Sequence, residues 1–139
     1  MAGLTLEIIT PNKIAFSGIV QSVTIPGTEG SFQVLSNHAP LMSTFEIGEV
    51  KVVQPDKVEK NYATGGGTVE VLHNNVLVLA DSLEEITTID VERARSAKER
   101  AEERLVHKTD TTDVERAELA LKRAVNRLKL VEKYVRAEI

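Results

Sequence analysis

The sequence predicts a two-part protein: an antiparallel β-sandwich or flattened barrel of nine or ten short strands, followed by an antiparallel pair of helices. Two observations predict it. All 8 Gly and all 4 Pro lie at or before Gly67, whereas every Arg lies at or after Arg93, so turn formers and long charged helix formers occupy separate stretches. The spacing of apolar residues also changes, from alternation in the first part to steps of three and four in the second. Charge follows the same division, with 11 charged side chains in residues 1–80 and 27 in residues 81–139. The head is assigned to residues 1–83 and the helical tail to residues 84–139.

In the head, β-branched or alternating runs are punctuated by turn formers. Leu4 to Ile8 reads as the first strand and ends before Pro11-Asn12-Lys13; Gly18 to Ile25 reads as the next and ends at Pro26-Gly27. Further runs follow at Ser31–Leu35, Leu41–Ile47, Glu49–Gln54, Val58–Ala63, Thr68–Leu72 and Val76–Ala80. Pro40, Gly48, Pro55-Asp56, Gly65-Gly66-Gly67 and Asn74-Asn75 are expected to break them.

In the tail, Val91, Ala94, Ala97, Ala101 and Leu105 mark one helix, with Asp90 placed to cap its free N-terminal amides. Val114, Ala117, Leu121, Ala124, Leu128, Val131 and Val135 put a strict seam on a second helix, capped by Asp113. The polar connection from His107 to Asp113 folds the pair back on itself. Alanine dominates the first helix's seam, and each alanine buries far less than the ~1.5–3 kcal/mol worth of a large aliphatic side chain. Helices this short are marginal alone in water. The hairpin is therefore read as weakly held and movable.

Composition narrows the function. A formal net charge of −4 with no basic run argues against DNA or RNA, which are bound through positive surfaces that displace counterions. Zero cysteines exclude disulfides and thiolate chemistry, which fits a reducing compartment. No run approaches the roughly 20 apolar residues of a membrane span, so membrane association is expected only through another protein. The three histidines are scattered, and no metal site or catalytic triad is expected. Gly65-Gly66-Gly67 runs into strand-like Thr68-Val69-Glu70-Val71 instead of opening a helix, so it reads as a bulge or tight turn and not as a phosphate cradle. His38, in Ser36-Asn37-His38-Ala39-Pro40, is either a hydrogen-bonded turn residue or part of a docking surface.

The arginines carry a sharper alternative. Arg93 and Arg100 stand seven apart on one helix, and Arg123 and Arg127 four apart on the other, so each pair shares a face. Gathered guanidinium groups repel unless an anion joins them, which leaves polyphosphate binding or a solvated charged face.

The segments Phe16-Ser17-Gly18, Pro26-Gly27-Thr28-Glu29-Gly30-Ser31-Phe32, Asn37-His38-Ala39-Pro40-Leu41 and Gly65-Gly66-Gly67 with Val69-Glu70-Val71 resemble, in order and spacing, the epsilon subunit of bacterial F-type ATP synthase. Ile89-Asp90-Val91-Glu92-Arg93-Ala94 resembles that family's ATP-binding motif. The resemblance implies a non-catalytic rotor subunit with a ten-stranded sandwich bound to the gamma subunit and the c-ring. It also implies a helical hairpin that either folds down with ATP bound or extends toward the alpha and beta subunits and hinders ATP hydrolysis. The implied ATP contacts are Glu84, Ile89 and Asp90 at the adenine, Arg93 and Ala94 at the helix start, and Arg100, Arg123 and Arg127 toward phosphate. Glu29, Gly30, Ser31 and His38 would lie toward the c-ring, although the family often carries an acidic residue where Ser31 stands. The implied location is the cytoplasmic face of the bacterial plasma membrane, held there by the complex. The competing reading is a ligand-binding β-sandwich that dimerises through its hairpin.

Overall fold

The computed structural model describes residues 3–135 and divides the chain into two compact units, residues 1–85 and 86–139. In the first unit, β1 (Leu4–Ile9), β2 (Ile14–Val20), β3 (Ser22–Gly27), β4 (Gly30–Val34), β5 (Leu41–Val53), β6 (Glu59–Leu72) and β7 (Asn75–Ala80) pair in the order β2-β1-β7-β6-β5-β3-β4. A short β8 (Leu83–Glu85) adds to β6. Every pair is antiparallel except β1 with β7, which is parallel.

The described residues form eight strands where nine or ten were expected, and the glycines explain most of the difference. Gly48 and Gly65-Gly66-Gly67 do not end strands. They lie inside β5 and β6, of 13 and 14 residues, whose pairing runs from Leu41↔Val71 to Val53↔Glu59. A glycine in a strand can relax the local backbone without surrendering the ladder. Gly66 takes φ +101°, and a Cβ at Gly67 would fall 1.9 Å from the Leu79 carbonyl oxygen. The triplet therefore serves close strand approach. The Gly18–Ile25 run is divided at Gln21 into parts of β2 and β3, and β2 begins earlier, at Ile14.

The two long strands change neighbours along their length: the second half of β6 pairs with β7 on one side and the first half of β5 on the other, while the first half of β6 carries β8 and the second half of β5 most of β3. Alternate residues point inward to one core, which includes Leu4, Leu6, Ile8, Val20, Val23, Ile25, Val50, Val52, Val69, Val71 and Val78. Tyr62 joins this core from β6, opposite Glu85 of β8. Burial, with the Glu85 carboxylate beside it, pushes the Tyr62 phenol up to about 12.

The second unit opens with a 3-10 turn at Ile86–Thr88 and continues as α1 (Val91–Val106) and α2 (Val114–Tyr134). Both predicted caps form: Asp90 Oδ1 accepts the Arg93 amide at 3.1 Å, and Asp113 Oδ1 accepts the Arg116 amide at 3.0 Å. The helices pack together through the predicted seam, with Ala94 and Ala101 of α1 and Ala117, Ala124 and Val131 of α2 buried.

Candidate functional site

Three surfaces come into question, one on the hairpin and two on the sandwich. On the hairpin, the sequence Asp-Val-Glu-Arg-Ala occurs twice, at 90–94 and at 113–117, and both copies cap a helix and bury their alanine. Capping and seam packing thus account for the aspartate and alanine wherever the pattern occurs. What separates the copies is the preceding residue, half-buried Ile89 in one and half-buried Thr112 in the other. Ile89 donates its amide to the Ile86 carbonyl at 3.2 Å, which ties it to the 3-10 turn.

The alanines also set the register of the arginines. Ala94 and Ala101 are seven apart, as are Ala117 and Ala124, so in an antiparallel pair Ala94 faces Ala124 and Ala101 faces Ala117. Arg93, Arg100, Arg116 and Arg123 each stand one residue before a buried alanine. Antiparallel packing brings equal offsets to the same side of the hairpin. At 1.5 Å of rise per residue, Arg93, Arg123 and Arg127 fall within roughly 6 Å along the axis, whereas Arg100 lies about 10 Å further on, level with Arg116. The four expected arginines therefore divide as three and one, and Arg116, passed over in the sequence, joins the second group. Arg93 and Arg100 are exposed; Arg123 and Arg127 are half-buried. Among the described residues no carboxylate forms an ion pair with Arg93, Arg100 or Arg123, while Arg95 pairs with Glu92. Glu84 belongs to the other unit, in β8 opposite Ala63.

On the sandwich, Thr28 and Glu29 form the β3–β4 turn, followed by Gly30 at φ +126° and Ser31 opposite Pro26. Thr28 is tied to β5: its amide donates to the Thr44 carbonyl at 3.3 Å and its hydroxyl meets the Thr44 hydroxyl at 2.7 Å. His38, half-buried, lies in the 35–40 loop that leads into Leu41, the first residue of β5. Since Thr44 is three residues past Leu41, the turn and the loop meet β5 about 10 Å apart along one strand.

The third surface lies on the outward face of β1, β7, β6 and the start of β5. Met42, Thr44, Thr68, Glu70, Leu77 and Leu79 line an open groove of about 570 Å³ there. Met42 is 75% exposed and Leu79 46%. The groove is mixed in character: Met42 on β5 and Leu77 and Leu79 on β7 flank the exposed Thr68 and Glu70 of β6. The sequence contained the signal, because Val76-Leu77-Val78-Leu79-Ala80 is apolar at outward as well as inward positions.

Residues 3–86 match the family model for the ATP synthase delta/epsilon chain β-sandwich domain, and residues 87–132 match that for its long α-helix domain. The chain belongs to the ATP synthase delta/epsilon family. Its members are non-catalytic subunits of the synthase, and this chain is one of them. The ATP synthase epsilon chain of Desulforamulus reducens is 45% identical over 91% of this chain and 96% of its own length. That of Pelotomaculum thermopropionicum is 52% identical over 75% of this chain and 77% of its own. A chain in the mitochondrial ATP synthase of Euglena gracilis superposes with a TM-score of 0.84 at 20% identity, covering 94% of this chain and 82% of that one. The likeness is one of fold: the sandwich and hairpin persist where four residues in five differ.

Proposed function

We propose that the chain is a central-stalk subunit of the F-type ATP synthase, with the sandwich as its docking head and the hairpin as an ATP-responsive regulator of hydrolysis. The observation that carries the docking role is the open groove in which Met42 and Leu79 stand exposed beside Leu77, which takes the gamma subunit; the β3–β4 turn and the His38 loop then face the c-ring. The names of the similar proteins support this, since the Tetrahymena thermophila structure, with a TM-score of 0.54, is described as the central stalk and c-ring. The chain would sit on the cytoplasmic face of the membrane, held by the ring. No helix among the described residues is long and apolar enough to cross a bilayer. Placing a carboxylate in the groove with Leu79→Asp should weaken binding to purified gamma by more than about tenfold, since an unpaired charge cannot be buried cheaply. Wild-type affinity in this variant, with the fold intact by circular dichroism, would remove gamma from this face.

The regulatory role rests on Arg93, Arg123 and Arg127 gathered on one side of the hairpin beside the Asp90 cap and Ile89. Three guanidinium groups within roughly 6 Å along the axis suit a polyphosphate. A nucleotide that binds only the folded-down hairpin stabilises it by RT ln(1 + [ATP]/Kd), about 1.4 kcal/mol at ninefold excess, which is tenfold in the ratio of states. Falling ATP would free the hairpin to extend toward the alpha and beta subunits and slow hydrolysis. Isothermal titration of the full-length chain with ATP should give saturable one-to-one binding, weakened by Arg93→Ala and far less by Arg116→Ala. Equal losses from both substitutions would reduce the effect to net charge.

A further inference from the structure

The turn between β6 and β7 is made by His73 and Asn74, at φ +48° and +61°. A two-residue hairpin of this kind needs residues that tolerate positive φ, and glycine would satisfy it with less strain. Asn74 does something glycine cannot. Its Oδ1 accepts the Asn37 amide at 2.6 Å, and its Nδ2 lies 3.5 Å from Asn37 Oδ1. Asn37 itself takes φ +65°, so two left-handed asparagines far apart in sequence are joined through one side chain.

The joined segment is the 35–40 loop. Next along it, the His38 amide donates to the Leu35 carbonyl at 3.2 Å, and His38 Nδ1 lies 2.7 Å from the Ala39 carbonyl. A carbonyl oxygen only accepts, so Nδ1 carries the proton and Nε2 is the ring atom left to meet a partner. A free six-residue loop loses conformational entropy when it docks, whereas a tethered one has already lost it.

We propose that Asn74 is a positioning residue that holds the 35–40 loop, with His38, in the conformation that docks. This rests on the c-ring reading given above. Asn74→Gly keeps the turn's backbone preference and removes the tether, and Asn74→Asp retains the accepting oxygen. Binding of the full-length, fluorescently labelled chain to a detergent-solubilised gamma–c-ring complex is measured beside the hydrogen exchange of the Asn37 amide. Asn74→Gly should weaken binding about two- to tenfold, the range for one net hydrogen bond, and speed Asn37 exchange, with any loss of stability no larger than that one bond. Asn74→Asp should restore both. Wild-type binding by Asn74→Gly, while His38→Ala is impaired, would overturn the tether and leave ring docking standing. Wild-type binding by both Asn74→Gly and His38→Ala would overturn the loop's docking role and the inference with it. Exchange that quickens throughout the sandwich and not in the 35–40 loop alone, or failure of Asn74→Asp to rescue, would also refute it.

Discussion

Replacing Gly67 by alanine tests a close backbone approach between β6 and β7. The new Cβ would lie 1.9 Å from the Leu79 carbonyl oxygen and 3.0 Å from Ala80 Cα, both in β7, where ordinary contact begins near 3.4 Å. Relief takes a shift of about 1.5 Å between β6 and β7, a third of the ~4.8 Å spacing between paired strands. A shift of that size breaks the local ladder and the 2.8 Å bond from the Asp81 amide to the Gly66 carbonyl. It also parts Val69 from Val78, which face each other across the pair. Losing two or three hydrogen bonds and loosening the core should cost at least about 3 kcal/mol. Urea denaturation followed by circular dichroism measures this directly, with Gly18→Ala as the control. At Gly18 the added Cβ would meet only ring carbons of Phe16, at 3.9 Å. A Gly67→Ala protein within about 0.5 kcal/mol of wild type would refute the approach of the strands described here.

Two other outcomes follow from the packing. Ala101→Leu inserts a large side chain where α1 and α2 meet, and overpacking of that kind costs about 1–3 kcal/mol; amide exchange should quicken in both helices and stay unchanged in the strands, and equal quickening in both units would contradict a hairpin held by its own seam. Tyr62 is raised in the folded chain to about 12 from 10.0, so between those values the unfolded chain loses the phenolic proton first and stability falls as pH rises. Below pH 10 the phenol is neutral in both states and contributes no slope. Tyr62→Phe should flatten that decline, and an unaltered slope would mean that the hydroxyl meets solvent.

The parts of the fold that could be read from sequence were those whose signal is local. Asp90 and Asp113 ahead of three-and-four spacing fixed both helix starts to the residue, because a cap and a seam each act within a few positions. Strand number was misread where the deciding contact is distant. Gly65-Gly66-Gly67 looks like a break until Leu79 is seen to press on it, and Gln21 divides a run that carries no Gly or Pro after Gly18. β8 is only three residues long and its pairing is settled by β6, so periodicity could not announce it. Among the site residues, the arginine spacing was visible, but their division into three and one depends on the register between helices. Asn74 was read only as punctuation, since nothing in a sequence reveals a side chain reaching from one left-handed residue to another.

The two units differ in how their cores are made, and that difference suits the proposed switch. All twelve of the largest fully buried side chains belong to the sandwich, among them Leu4, Leu6, Ile8 and Ile25. Each contributes about 1.5–3 kcal/mol on burial. The hairpin instead closes over Ala94, Ala101, Ala117 and Ala124, with Leu130 and Val131 toward one end. A buried methyl group is worth about 0.8 kcal/mol, so the four alanines contribute only a few kcal/mol to the seam, less than an equal number of large aliphatic side chains would. A ligand that stabilises the closed hairpin by about 1.4 kcal/mol shifts the ratio of states only where the two lie close in free energy. A seam of large aliphatic residues would make a more stable hairpin and a poorer sensor. The alanine seam is what the proposed switch requires of the hairpin.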